Sequence, residues 1–379
     1  MRLPGIFLLG LLLAGCGADS PPVAPGDNGQ VSVSERMAAQ PEPGFKRADR
    51  LRDFDFPADH GAHPQYATEW WYFTGNLATA DGRPFGYQLT LFRVGLAAGA
   101  PAGDSPLRST QMYMGHLAIT DIRERRHHSQ ERFSRAAAGL AGAETGPLRV
   151  WLGSWTIAGQ ESGPFPLRLV ADADDIEINL TLQRGDKPRV LQGDAGWSQK
   201  SGAPGNASYY YSYTRLPTSG HLRVGDASYQ VSGNSWFDRE WSSSALGADQ
   251  AGWDWFALHL QDGRDLMFYR MRDKQGQAQS FSQGVLVGKR GQILKLDLGN
   301  TRLRPGKHWK SDASGVRYPV AWQLQVPGEG IDLRINARVF DQEMNHSVRY
   351  WEGAVEVSGS HAGVGYLEMS GYQRSAGPG

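Results

Sequence analysis

Cysteine is almost missing from this chain: its 379 residues include one, Cys16. No disulfide can form within the chain, so the fold must be held by its core, and no cysteine-based metal cluster can be built. Net charge is missing too. The 39 lysines and arginines balance 39 aspartates and glutamates, which leaves no field to draw in nucleic acid or an anionic surface. Long helical periodicity is almost nowhere; only the alanine-rich residues 129–143 suggest a short helix. A Gly-x-Ser-x-Gly elbow and a phosphate loop are absent. No His/Cys/Asp spacing fits a metal site, and Asp172, Asp174 and Asp175 are too few for a calcium loop. His127 and His128 sit in the charged run RERRHHSQER, which reads as a solvated loop. Ser360 and His361 adjoin, but without the strand–turn–helix context of a nucleophile site.

What is present is aromatic and glycine-rich. Twelve Trp, 14 Tyr and 14 Phe accompany 48 Gly, a mixture suited to many short strands joined by tight turns. The segments FGYQLTLFR, MYMGHLAIT, LRVWLGSWTIAG, FPLRLVAD, IEINLTLQR and YYYSYTRLP alternate or run apolar. Turn chemistry in ADGRP, GDKP and PTSG separates them. The length allows two or three domains, and the pattern predicts antiparallel sandwiches or barrels.

The first sixteen residues read as a lipoprotein leader. Arg2 precedes an apolar run over residues 3–13, too short to span a membrane as a mature helix. It ends in Leu13-Ala14-Gly15-Cys16, which resembles a lipobox, so acylation of Cys16 would anchor the protein. Gly17 favours the outer membrane, facing the periplasm. Residues 17–50, rich in Pro, Gly and small polar side chains, read as a flexible tether, with order expected from about Phe54.

An internal echo organises the rest. WWYFTGNLATADGR at 70–83 and WDWFALHLQDGR at 253–264 align Trp70 with Trp253, Tyr72 with Trp255 and Phe73 with Phe256. Both reach an Asp-Gly-Arg turn, read as a two-residue hairpin with positive φ at both positions. Two similar β units are expected, over 51–245 and 246–375.

Three constellations are candidates for chemistry. In EWWYF, Glu69 and Trp71 share one strand face and Trp70 and Tyr72 the other; His63 could reach Glu69. In SYYYSYTRLP, Tyr209, Tyr211 and Tyr213 form a row of hydroxyl-tipped rings that would suit a ligand pocket. In GNSWFDREWSSS, Trp236, Asp238 and Glu240 point one way and Phe237, Arg239 and Trp241 the other. If the first face is enclosed, desolvation and the like charge of Glu240 raise the pKa of Asp238 and leave a proton donor. The competing picture pairs Asp238 or Glu240 with Arg239 or Arg215 at a strand corner.

These segments, with YWEGAVEVSGSHAGVGYLEMSGY near the end, resemble the AttH-like and carotenoid 1,2-hydratase (hydroxyneurosporene synthase) superfamily over roughly residues 63–372. The resemblance implies two tandem lipocalin-like β domains and, in many members, export beside ABC-type permeases. The hydratase branch adds water to an isoprenoid double bond without a cofactor. Its essential aspartate, in a Tyr-His-Asp-His-Asn-Trp motif, falls here on Asp238 within Trp236-Phe237-Asp238-Arg239-Glu240-Trp241. The aspartate and final tryptophan are kept; both histidines are replaced. A second segment of that branch falls near Tyr209 and Tyr211.

Three functions follow as expectations. The first is an envelope lipoprotein that holds an apolar lipid or isoprenoid ligand and works beside an ABC-type permease. Its binding residues would be Trp236, Trp241, Tyr209, Tyr211, Glu69, Trp71 and His63. The second is a cofactor-free hydratase or hydrolase with Asp238 as proton donor and Glu240 or a tyrosine orienting water. The third is a structural partner of an export complex with no ligand of its own.

Overall fold

The computed structural model describes residues 31–32, 43–100, 105, 107–161, 163–243 and 246–373. Cys16, the leader before it and most of the expected tether lie outside the described residues. Among those described there is no α-helix, only two single 3-10 turns. The chain is all-β, built from two curled antiparallel sheets.

The first sheet comprises β1 (Thr68–Ala78), β2 (Pro84–Gly95), β3 (Gln111–Asp121), β4 (Arg126–Arg135), β5 (Ala141–Thr145), β6 (Leu148–Leu152), β7 (Trp155–Gln160), β8 (Gly163–Ala173), β9 (Ile176–Leu182), β10 (Ala207–Val224) and β11 (Ala227–Ser242). Their order, 4-3-2-1-11-10-9-8-7-6-5, curls into a nearly closed barrel. Side chains bridge the seam that no ladder closes: Arg132 on β4 reaches Ser154 at 2.8 Å and covers the Trp155 ring at 4.9 Å.

The second sheet comprises β12 (Gln250–Leu260), β13 (Asp265–Asp273), β14 (Gln283–Val287), β15 (Ile293–Asp297), β16 (Arg302–Pro305), β17 (Ala321–Val326), β18 (Ile331–Ala337), β19 (Val348–Gly359) and β20 (Gly363–Met369). Its main path runs 15-14-13-12-20-19-18-17-16 and forms a half-barrel.

The internal echo has a topological counterpart. In each sheet the first strand lies between its hairpin partner and the last strand, β1 between β2 and β11, β12 between β13 and β20. The two turns also share one hydrogen-bond pattern. Gly82 N bonds Thr79 O at 2.9 Å and Thr79 N bonds Arg83 O at 3.1 Å; Gly263 N bonds Leu260 O at 3.1 Å and Leu260 N bonds Arg264 O at 2.9 Å. One detail differs from expectation. Only the glycines, at φ 83° and 88°, are left-handed, while Asp81 and Asp262 are not. The turns are therefore longer loops that close on a left-handed glycine.

Other expectations are corrected. Residues 129–143 form parts of β4 and β5 rather than a helix, because β4 pairs along its whole length with β3. His127 and His128 lie on β4, not in a loop. PTSG does not end a strand: β10 runs through it, with a register shift between Tyr213 and Leu216. The tether stops short of residue 50. Ala48 is fully buried, Lys46 N bonds Gln65 O, and Trp197 Nε1 donates to Ala48 O at 2.8 Å.

An antiparallel sheet usually keeps one face wet. Here residues 235–242, at the end of β11, are buried at every position. Phe237 and Trp241 belong to the core of the first barrel, while Trp236 packs with Tyr72, Tyr210, Trp255 and Tyr269 between the sheets. Polar contacts fix how the sheets meet. Lys187, 4% exposed, donates to the carbonyls of Gly263 (2.8 Å), Gly288 (2.7 Å) and Lys289 (2.7 Å). Asp265, fully buried, accepts from Arg215 Nε at 2.9 Å and Thr214 Oγ1 at 2.8 Å.

The sheets come close at Gly86, where a Cβ would stand 2.8 Å from Ala354 Cβ and 3.0 Å from Tyr366 Oη. Gly86→Val is expected to cost on the order of 1–3 kcal/mol through overpacking, read from urea denaturation. An unchanged midpoint would mean the sheets do not meet there.

Candidate active site

Alternation along β11 separates two buried charges into two environments. Arg239, facing the first barrel, meets Glu69 on β1, which also pairs with Arg93 on β2. Glu69 is fully buried and accepts from His63 N at 2.9 Å, with His63 Nδ1 at 3.2 Å. Burial alone would raise its pKa, but Arg239 and Arg93 hold it well below the usual carboxylate range. The cluster is closed. Arg239 also donates to Gly61 O and covers the Trp71 ring at 4.0 Å.

Asp238 faces the other way, into a cavity between the sheets, and is 3% exposed. No guanidinium reaches it. Its partners are Tyr210 Oη at 2.5 Å, Ser212 Oγ at 2.5 Å and Trp236 Nε1 at 2.7 Å. Burial pushes its pKa up to about 7; the hydrogen bonds from Ser212, Tyr210 and Trp236 oppose the shift, and the charge of Glu240 adds to it. Near neutral pH such a carboxyl can both give and take a proton.

Glu240 lines the same cavity but is engaged differently. Lys200 Nζ lies 3.1 Å from it, and Ser208 Oγ donates to it. Lys200 sits 4.2 Å above the Tyr269 ring. Although burial would lower the lysine's pKa, Glu240 and Tyr269 hold it above its ordinary value. Glu240 is thus paired with a buried lysine.

The second sheet adds two acids. Glu368 on β20 accepts from Trp253 Nε1 at 2.7 Å. Burial raises its pKa to about 7, with Trp253 opposing and Glu240 and Asp238 reinforcing. Glu352 on β19 lies directly opposite Glu368, beside the hydroxyls of Tyr72 and Tyr350. Burial, then the charge of Glu368, pushes it well above the usual range.

These positions follow the internal echo. Asp238 is the cross-strand neighbour of Tyr72, and Glu368 that of Trp255. Tyr72 and Trp255 are equivalent in the echo, and their rings meet edge to face at 5.2 Å. Each repeat therefore carries one carboxyl at the same place on its last strand, each bonded by an indole N–H. Trp70, Trp253, Trp255, Tyr210 and Phe92 complete the aromatic lining.

Of the residues expected to bind ligand, Trp236 is on the cavity side, as the partner of Asp238. Trp241, Tyr209, Tyr211, Glu69, Trp71 and His63 are not; all face the interior of the first barrel. The chain's own segment over residues 54–66 fills that space. Phe54 packs on Tyr209, Tyr211 and Trp241 at 6.3, 6.1 and 5.6 Å. His63 stacks on Trp241 at 3.8 Å, Tyr211 Oη meets His60 Nδ1 at 2.6 Å, and Trp71 Nε1 donates to His60 O at 2.8 Å. The three-tyrosine row is core; the opposite face of β10, with Ser208, Tyr210 and Ser212, serves the cavity. Sequence reasoning missed Glu352, Glu368, Tyr350, Lys200, Trp253 and Trp255. The signal for Glu368 and the two tryptophans was the echo itself, once the last strands are aligned as well as the first.

A family model described as AttH-like matches residues 47–372. A proposed AttH from Nitrosomonas europaea shares 32% identity, covering 86% of this chain and 100% of that one, with a TM-score of 0.77. Kievitone hydratase from Nectria haematococca has the same fold at 17% identity and a TM-score of 0.64, covering 89% of this chain and 98% of that one. The dehydratase asqC of Emericella nidulans is 22% identical over 182 residues, 46% of this chain and half the length of that relative (50%).

Two outcomes are expected. Glu69→Gln leaves two buried guanidiniums uncompensated and should cost about 3–5 kcal/mol by chemical denaturation; a loss below 1 kcal/mol would place Glu69 at the surface. For Asp238, a folded pKa near 7 lies above its unfolded value, so the native state binds the extra proton. The associated stability is full below the unfolded pKa and is lost as pH rises through about 7. Denaturation midpoints should fall across that window, and Asp238→Asn should flatten the fall. An identical slope in the variant would show that Asp238 is ionised throughout.

Proposed function

The chain belongs to the AttH-like family, and from that premise we propose that it is a cofactor-free hydro-lyase, adding water to or removing it from an apolar substrate held between the two sheets. The observation that carries the reading is Asp238, a carboxyl raised to about 7 inside a ring-lined cavity with no guanidinium to hold it ionised. Protonating an alkene requires an acid stronger than water, and a desolvated carboxyl supplies one. The developing tertiary cation would lie among the Trp70, Tyr210, Trp253 and Trp255 rings, a cation–π gain of about 2 kcal/mol when dry. Glu240, tied to Lys200, offers an acceptor that can orient water. The hydratase and dehydratase among the similar proteins support the same class of reaction.

A carrier of an apolar ligand would use the same cavity, and it is the reading that remains if nothing is turned over. We further propose, from the lipobox alone, that Cys16 anchors the protein in the envelope, with outer-membrane placement resting on Gly17. An ABC-type permease as partner rests on the family resemblance.

The test uses protein lacking residues 1–16, purified from a native-like host, with co-purifying apolar compounds identified by mass spectrometry. Incubation with the host's apolar extract in ¹⁸O-labelled water should yield products carrying the label. Asp238→Asn should lower incorporation by roughly 10²–10⁴-fold and accumulate unconverted substrate. Ligand retained by both proteins with no label incorporated would make the protein a carrier.

A further inference from the structure

An acid that protonates carbon leaves a second proton to place, because the attacking water must lose one. We propose that Tyr350 is the base of this site, with His116 and Glu131 relaying and positioning its proton. The assignment rests on the hydro-lyase reading, but its geometry stands independently.

Tyr350, on β19 of the second sheet, lines the cavity that Asp238 enters from the first. Its Oη lies 2.7 Å from Nδ1 of His116, on β3. His116 is fully buried, and its Nε2 lies 2.9 Å from Oε1 of Glu131. His116 and Glu131 are direct cross-strand neighbours on β3 and β4, so the ladder sets their spacing. Glu131 is held in turn by Ser347 Oγ at 2.8 Å and Ser347 N at 3.2 Å. The imidazole also lies against the Tyr350 ring, centroids 5.5 Å apart and 25° from parallel.

This chain has a direction. Burial would raise the Glu131 pKa, but the His116 and Ser347 hydrogen bonds bring it below its ordinary value, so it is a carboxylate and accepts only. Nε2 of His116 must then carry the proton. In a neutral imidazole Nδ1 is left as an acceptor, and the Tyr350 hydroxyl must donate to it. The phenol proton therefore points toward His116. Glu352, the cavity carboxyl that burial holds well above the usual range, also lies within hydrogen-bond reach of Tyr350; its acid form donates to that oxygen, which keeps one lone pair for a group approaching from inside. The arrangement has the logic of a nucleophile–histidine–carboxylate triad, with a phenol that moves a proton in place of a nucleophile.

In hydration, Asp238 gives its proton to one alkene carbon, and a C–H bond forms. Water adds to the other carbon, and a C–O bond forms. That water passes one proton to Tyr350 Oη while the phenol's own proton moves to Nδ1 of His116. The imidazolium beside Glu131 then releases its proton to solvent, and Asp238 is reprotonated. Dehydration runs the same steps backwards, with Tyr350 protonating the departing hydroxyl. Acid and base come from different sheets, so neither repeat alone holds both.

Two measurements test this. The first needs no substrate: ¹⁵N-histidine NMR of the protein lacking residues 1–16 should show His116 as the Nε2–H tautomer, with Nδ1 as a hydrogen-bond acceptor that loses its partner in Tyr350→Phe. A proton on Nδ1 would reverse the direction of the chain and overturn the proposal. The second reads label incorporation from ¹⁸O-water with the host's apolar extract. Tyr350→Phe should reduce it by roughly 10²–10⁴-fold, and Glu131→Gln should lower kcat with KM unchanged. Full incorporation by Tyr350→Phe, where Asp238→Asn has lost it, would remove Tyr350 as base and leave the hydro-lyase reading standing. No incorporation by the unaltered protein would remove that reading, while the tautomer would still report the relay.

Discussion

The structure depends on the burial of both faces of the strand that ends the first barrel. Residues 235–242 have no wet side, so each charge they carry must be paired or neutralised. Arg239 takes the first solution, in the cluster with Glu69 and Arg93. Asp238 takes the second, surrounded by hydroxyls and an indole N–H but no cation. The same desolvation thus holds one carboxyl ionised and another near its midpoint. What differs is whether a guanidinium shares the face.

Desolvation of Asp238 requires the second sheet. β10 and β11 present Tyr210, Trp236 and Asp238 on the outside of the first barrel, where an isolated barrel would leave them in water. The half-barrel of the second sheet covers them with Trp255, Met267 and Tyr269, and its own exposed concern, Glu352 and Glu368, is covered in the same act. The internal echo accounts for the pairing of acids across the interface. Once two copies of one β unit pack through equivalent strands, residues at equivalent positions converge. The two positions differ, an aspartate in one and a glutamate in the other, and leave a cavity with unlike walls.

The loss of both histidines from the hydratase-like motif reads differently in this setting. Phe237, like Arg239, faces the first barrel; Phe237 stacks on Phe73 at 4.3 Å. Glu240, in contrast, stands in the cavity with Lys200. Of the two cavity-side positions that depart from the motif, Trp236 donates to Asp238 and Glu240 forms a charged pair with Lys200, while His116, from another strand of the first sheet, meets the cavity residue Tyr350.

The amino-acid sequence by itself determined the strand class, the period-two division of β1, β10 and β11 into two faces, the internal echo and the choice of Asp238 as a candidate. All are local: alternation and turn chemistry depend on neighbours a few residues away. Which face of β10 is core and which is site could not be read from it. Three tyrosines look like a ligand wall until the segment over residues 54–66 is seen filling the space in front of them. Likewise Glu352, Glu368 and Tyr350 lie more than a hundred residues from Asp238 in the chain, and only the packing of one sheet on the other brings them to one cavity. Tertiary structure decided the site because burial and proximity, which set the acidity of a carboxyl, are properties of the assembled interface and not of any segment.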